Sequence, residues 1–197
     1  FVKVEKSLVV HSCVNENCTK ESFSAVASGV VVQNTLKGAY VLTAAHVCDE
    51  SDMFNQFSSA VKIDIKFFVI TLEEDKKSVQ IVDYNVKHDI CVVWVENLFA
   101  QPVAISPSAP VPGDLVLNIA APLGVFSRDM VPIFQGVYSG IDEEGRAVYT
   151  LPAFGGSSGS PILNSKGELV GMVHSTLRYF NHIAISPNYK AMREFLN

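Results

Sequence analysis

Near the C-terminal end of the chain lies Phe154-Gly155-Gly156-Ser157-Ser158-Gly159-Ser160-Pro161, a run of serines set among glycines. Glycine tolerates backbone dihedrals that other residues resist. Such a run can therefore turn tightly, push a hydroxyl out of the surface and converge backbone N–H groups beside it. That is how an activated serine nucleophile with an oxyanion hole is built, and its chemistry is acyl transfer. The bland alternative is a Gly/Ser loop without chemistry. The choice between them depends on the rest of the chain.

A serine attacks a carbonyl only if a base takes its proton, and a carboxylate usually fixes that base. The candidate base is His46, in Leu42-Thr43-Ala44-Ala45-His46-Val47-Cys48, where an apolar strand ends in small residues that leave room for an imidazole. Its rival reading is a packed histidine. The candidate carboxylate is Asp89, in His88-Asp89-Ile90-Cys91-Val92-Val93, where the rival is a turn or cap residue. Each of the three elements stands at the edge of a strand-like segment, in the order His, Asp, Ser.

The elements that must hold these residues read as short strands. Residues 8–10, 25–32, 39–43, 61–72, 79–82 and 90–95 are apolar, β-branched or alternating, with Ser28-Gly29 marking a bulge or a close backbone approach. Glu73-Glu74-Asp75 before Lys76-Lys77 reads as a solvated hairpin tip, and Trp94 as a core residue. Pro102, Pro107, Pro110 and Pro112 then suit an extended crossover. Strand patterns resume at 114–120, 133–139, 146–150, 161–163 and 168–174, with a hairpin turn at 164–167. The tail reads as an amphipathic helix with Ser186 as N-cap and Pro187 at its first position. Pattern alone thus gives an all-β protein of two modules, residues 1–100 and 113–185. A crossover at 101–112 joins them and a terminal helix covers 186–197.

Composition excludes several classes. The chain has 197 residues, 48% of them hydrophobic, which fits one well-buried domain or two small packed barrels. A net charge of −5 gives no support to binding nucleic acid or an anionic membrane surface. The stretch 115–126 is too short to span a bilayer and is interrupted by Asn118 and Pro122. Cys13 and Cys18 bracket a short polar loop and can close a small disulfide, whereas Cys48 and Cys91 read as small buried hydrophobes. No Cys-x-x-Cys or Cys/His spacing suggests a metal, and no cofactor is expected. The chain begins at Phe1 without a methionine and is read as a processed or trimmed product. The cysteines lean towards a secreted or periplasmic protein, with an intracellular or virus-encoded one as the alternative.

The motifs Thr43-Ala44-Ala45-His46, His88-Asp89-Ile90 and Gly156-Ser157-Ser158-Gly159-Ser160-Pro161 resemble those of the chymotrypsin-like (trypsin-like) serine protease superfamily. The resemblance covers nearly the whole chain and runs towards HtrA/Deg-type, glutamyl-endopeptidase and viral relatives, without a PDZ domain. It implies two perpendicular six-stranded β-barrels with the active site in the cleft between them. It also implies a peptide or protein substrate and hydrolysis through an acyl-enzyme. By the same resemblance Ser158 is the nucleophile, with Ser157 and Ser160 as competitors. His46 is the general base and then acid, Asp89 orients it, and the N–H groups of Gly156 and Ser158 form the oxyanion hole. A polyprotein-processing enzyme of viral or phage origin and a pseudoprotease binding module are the alternative readings.

The resemblance places Pro152, Ala153 and Phe154 on one wall of the S1 pocket and His174, Ser175 and Thr176 on the other. No aspartate stands at the expected pocket base, so a small or apolar P1 side chain is favoured over Lys or Arg. A glutamate P1 is the rival, since His174 and His182 could supply positive charge; alternatively His174 hydrogen-bonds Asp89 or merely packs. Digestive members carry an aspartate where this chain has Ser157, so no activation by an N-terminal salt bridge is expected. Adding residues before Phe1 should leave peptidase activity intact in a direct assay, and a large loss would contradict this.

Overall fold

A computed structural model describes residues 1–14, 17–49 and 61–197, with the side chains at 12–14, 17 and 61 outside the description. The first module is a closed barrel. Its strands are β1 (Val2–Val14), β2 (Asn17–Asn34), β3 (Gly38–Thr43), β4 (Val61–Ile70), β5 (Lys76–Asn85) and β6 (Ile90–Glu96), neighbouring in the order β1-β2-β3-β6-β5-β4. Antiparallel pairing of β1 with β4 closes the ring. Closure leaves no free sheet edge, which suits a chain with long apolar strands. Register shifts at Val31/Gln33 and Ile81/Asp83 supply the local bends that closure needs.

Alternation decides what lies inside. On β6, Cys91, Val93 and Val95 are buried and Trp94 between them is only half-buried. Trp94 is therefore not a core residue: period-two geometry turns it to the other face. Val2, Val30, Val41, Leu42 and Ile90 complete this core.

The second module is a seven-stranded sheet, ordered β11-β10-β7-β8-β9-β13-β12. Its strands are β7 (Leu115–Ile119), β8 (Ile133–Ile141), β9 (Ala147–Tyr149), β10 (Pro161–Leu163), β11 (Leu169–Met172), β12 (Ser175–Leu177) and β13 (Phe180–Ser186). The two end strands, β11 and β12, are consecutive in the chain, with only Val173 and His174 between them. One bent strand therefore pairs with β10 at its start and β13 at its end, and the sheet curls back on itself. Tyr149, Leu151, Ile162 and Val170 fill its core.

The proline-rich crossover is extended and stitched to both modules: Val103 N donates to Val31 O at 2.8 Å, and Leu169 N to Ala104 O at 2.8 Å. The terminal helix α2 is Tyr189–Leu196, shorter than expected, and its cap is Asn188 rather than Ser186. Asn188 Oδ1 accepts from Ala191 N at 2.9 Å. Ser186 is withheld from that role because it still pairs with Ala147 as the last residue of β13. An eight-residue helix is marginal in isolation, so its fully buried Met192 holds it in place, within a cluster that joins the first barrel to Leu163, Leu169 and Met172 of the second module.

Cys18 is disulfide-bonded and stands opposite Cys13 in the β1–β2 register. The Cys13 side chain and residues 15–16 lie outside the described residues. Among the described residues no helix is long and apolar enough to cross a membrane.

Candidate active site

His46 sits on a single helical turn, α1 (Ala45–Cys48), directly after β3. Ala45, Val47 and Cys48 are buried there while His46 faces out. Asp89 closes the turn between β5 and β6: its N–H donates to Val86 O at 3.3 Å, and Ile90 beside it is fully buried. Its φ of 53° is the left-handed conformation, which aspartate adopts more readily than most residues.

These two elements aim at each other. Asp89 Oδ1 accepts from the His46 backbone N–H at 2.7 Å, and Oδ2 faces His46 Nδ1 at 2.7 Å. Burial by itself would raise the Asp89 carboxyl. Hydrogen bonds from His174 and His46, the His46 charge and the His46 backbone N–H outweigh it and hold the carboxyl down at about 2. Asp89 is therefore an anion across the working pH range, and an anion on Nδ1 leaves Nε2 of a neutral imidazole free to accept a proton.

Cys48 and Cys91, expected as separate buried hydrophobes, form a disulfide. Thr43 pairs with Cys91 across β3 and β6, and the helical turn of α1 then carries Cys48 back over Cys91. The bridge ties the segment of His46 to the segment of Asp89, two residues past each.

The serine loop is tightly determined. Gly156 (φ 98°) and Gly159 (φ 83°) lie in the left-handed region, and a Cβ at Gly159 would sit 2.1 Å from Ser28 O. Only glycine fits there. Among the three serines, Ser157 is 1% exposed and Ser160 fully buried. Ser157 Oγ accepts from Phe154 N at 3.2 Å, and Ser160 Oγ from Asn118 Nδ2 at 2.8 Å. Ser158 is half-buried and opens onto a cleft of about 890 Å³ that His46, Asp89 and His174 also line. Gly155 O accepts from Leu123 N at 2.6 Å, which turns the Gly156 N–H of the same peptide the opposite way. Among the described residues neither Gly156 N–H nor Ser158 N–H donates to a protein acceptor.

A family model described as "Trypsin-like peptidase domain" matches residues 27–172, a span that contains His46, Asp89 and Ser158. The chain belongs to the trypsin-like peptidase family. The fold of this trypsin-like domain is shared with a solved structure described as the serine endoprotease from Yersinia pestis, at a TM-score of 0.67 and 19% identity. That likeness covers 96% of this chain but 61% of the other, so this domain spans less than two thirds of its length. No curated protein sequence matches.

The residues expected around S1 divide. Ala153 N donates to Asn181 O at 2.8 Å, placing 152–154 beside β13. Ser175 and Thr176 pair with Ile185 and Ala184 on the same strand, and Thr176 Oγ1 donates to Ile183 O at 2.7 Å. His174 departs from this group: its Nδ1 lies 3.3 Å from Asp89 Oδ2. His182 is exposed, with its ring 5.6 Å from that of Phe180.

Sequence reading missed the residues that hold the serine loop from behind. Ser28 N donates to Ser158 O at 2.7 Å, Ser28 Oγ donates to Gly156 O at 2.8 Å, and Ala121 N donates to Ser28 Oγ at 3.0 Å. Thr43 Oγ1 donates to Ser28 O at 2.9 Å. The expected close approach at Ser28-Gly29 is thus the contact by which the first barrel grips the loop of the second module. The available signal was a serine placed at a buried strand position between Ala27 and Gly29.

Proposed function

We propose that the chain is a serine endopeptidase that cleaves peptide bonds through an acyl-enzyme on Ser158. Ser158 Oγ attacks the scissile carbonyl carbon and its proton passes to His46 Nε2. The resulting oxyanion is received by the N–H groups of Gly156 and Ser158. Collapse expels the amine, which takes the proton from His46. Water then repeats the sequence on the acyl group, with His46 again as base, and releases the acid. Asp89 keeps its charge throughout, orienting His46 and stabilising the imidazolium. Each oxyanion donor is worth about 2.7–4 kcal/mol in the transition state.

The observation that carries this reading is that Ser158 shares its cleft with the doubly bonded His46–Asp89 pair, while Ser157 and Ser160 are buried and engaged. A small or apolar P1 residue is favoured over glutamate, because His174 points its Nδ1 at Asp89 rather than at the residues beside β13. The Cys48–Cys91 disulfide supports an oxidising location, secreted or periplasmic.

A fluorophosphonate probe should label the wild-type chain, with the adduct on Ser158 by peptide mapping, and should not label Ser158→Ala. Label on Ser157 or Ser160, or unchanged labelling of the variant, would overturn the assignment. A peptide library cut mainly after Lys, Arg or Glu would overturn the P1 preference.

A further inference from the structure

The closed ring has no free edge, but β2 outgrows it. Its 18 residues pair with β3 only from Val30 to Asn34, whereas residues 17–29 pair with β1 alone. Ser28 tells which way the unpaired edge faces. Its N–H donates to Ser158 O at 2.7 Å and its carbonyl accepts from Thr43 Oγ1 at 2.9 Å, both away from β1. In a strand the N–H and C=O of one residue point to one side, and those of the next residue to the other. The β1–β2 pairing has no register shift, so Val26, Ser24, Ser22 and Lys20 aim their backbone groups along the same edge as Ser28. Residues 18–25 are exposed, and among the described residues no hydrogen bond reaches the outward groups of Ser24, Ser22 or Lys20. Proteins commonly protect such an edge with proline, charge or a bulge, and Ser22-Phe23-Ser24-Ala25-Val26 has none of the three.

We propose that the outer edge of β2, from Ser24 out to Lys20, docks the leaving half of the substrate as an added strand; this rests on the reading of Ser158 as the nucleophile. The edge starts inside the cleft, where Ala25, Val26 and Ala27 line the wall together with His46 and Ser158. It belongs to the first barrel, whereas the residues expected around S1 belong to the second module. With the acyl half held by the second module, the half that departs as the amine has the β2 edge before it. β2 runs towards Ser158, and the leaving half runs away from Ser158 in its own N-to-C direction. The added strand is therefore antiparallel, the pairing in which opposed residues exchange two hydrogen bonds. Outward residues recur at every second position, so each further two substrate residues engage one more of Ser24, Ser22 and Lys20. From Val26 to Lys20 the edge is roughly 20 Å long at a strand rise of about 3.3 Å per residue. Recognition runs through the backbone, so the edge demands an extended, unfolded polypeptide and little particular sequence. Phe23 adds the one preference: its ring, 52% exposed, offers an apolar contact to substrate side chains on its own face.

The test uses peptides of one sequence, with alanine at P1, that end two, four, six or eight residues after the scissile bond. From the shortest to the longest, kcat/KM should rise about tenfold, in steps of two residues. Ser24→Pro removes an N–H that faces away from β1, at an edge position where proline is tolerated. In that variant the ratio of longest to shortest should fall to within about twofold of one, while Ser24→Ala, which keeps the backbone donor, should retain the wild-type ratio. Taking the ratio cancels any general effect of a substitution on turnover. A wild-type ratio near one, or a ratio that survives Ser24→Pro, would overturn the proposal. Equal loss in Ser24→Ala would overturn it as well, by moving recognition from the backbone to the hydroxyl. An unchanged ratio beside a dimer that Ser24→Pro dissociates in sedimentation would give the edge to a second copy of this chain instead. Binding to Ser158→Ala separates the edge from the catalytic reading: the longest peptide should bind about tenfold more tightly than the shortest. That difference without any hydrolysis by the wild type sinks the nucleophile reading and leaves the docking edge standing. Turnover of every peptide with equal kcat/KM and equal Kd sinks the edge alone.

Discussion

Asp89→Asn should lower kcat about ten-thousandfold while leaving the fold intact. The reason lies in which oxygen does what. Oδ1 accepts from the His46 backbone N–H, so an asparagine keeps its oxygen there and turns its NH₂ towards His46 Nδ1. Two N–H groups cannot face each other, so the imidazole must take the other tautomer, with its hydrogen on Nε2. That nitrogen then cannot accept the Ser158 proton. The loss should appear in kcat with a good ester substrate, and wild-type turnover would contradict the assigned geometry.

The same substitution carries a pH signature in stability. The folded carboxyl lies near 2 against an ordinary value of 3.8, so it is depressed. A depressed acid contributes stability that is present above the unfolded value and lost as pH falls through the folded one. That contribution is about 2 kcal/mol, since the Asp89 side chain is only 17% exposed and little discounted by solvent. Wild type should therefore lose its advantage over Asp89→Asn between about pH 4 and pH 2 in parallel denaturant titrations. A gap that persists unchanged at pH 2 would mean that packing, and not charge, holds the pair.

What the sequence revealed followed local physics. Segments with clean alternation or continuous β-branched runs became β3, β4 and β6, and Asn164 to Gly167 became the β10–β11 turn. Strand β13 was illegible because only Ala184, Ile185 and Ser186 at its end are buried, and one of those is polar. Its first half is exposed and presents no alternation to read. The cap of α2 was misplaced at Ser186, because serine and asparagine are comparable N-caps and nothing local separates them. The choice between them was made by the pairing of Ser186 with Ala147, a contact between distant segments. The candidate triad stood out in the sequence because His46 follows one apolar run, Asp89 precedes another, and Ser158 is set among glycines. Ser28 and Thr43, which hold the serine loop, were not assigned as supports, because a buried polar residue gains its meaning only from partners far along the chain, whereas contact of His174 with Asp89 was one of the readings the sequence offered.

The Cys48–Cys91 bridge is the clearest case of such a long-range fact, and its removal should have the second large effect. The two cysteines are 43 residues apart. A crosslink closing a loop of that size restricts the unfolded chain by about 4 kcal/mol in the chain-entropy description. For a domain of this length the Cys48→Ala/Cys91→Ala variant should therefore melt roughly 10 °C below wild type. Alanine replaces both sulfurs, so no free thiol confuses the comparison, and the Cys18 disulfide is left in place. The bridge also sits two residues beyond both His46 and Asp89, so the loss should not be confined to global stability. Well below its melting point the double variant should show reduced kcat, because α1 and the β5–β6 turn are then joined near the site only by hydrogen bonds and packing. A melting point within about 2 °C of wild type would show that the native contacts of β3 with β6 already confine this loop. Lowered stability with unchanged kcat would show that the carboxylate's own hydrogen bonds to His46 and His174 hold the pair without covalent help.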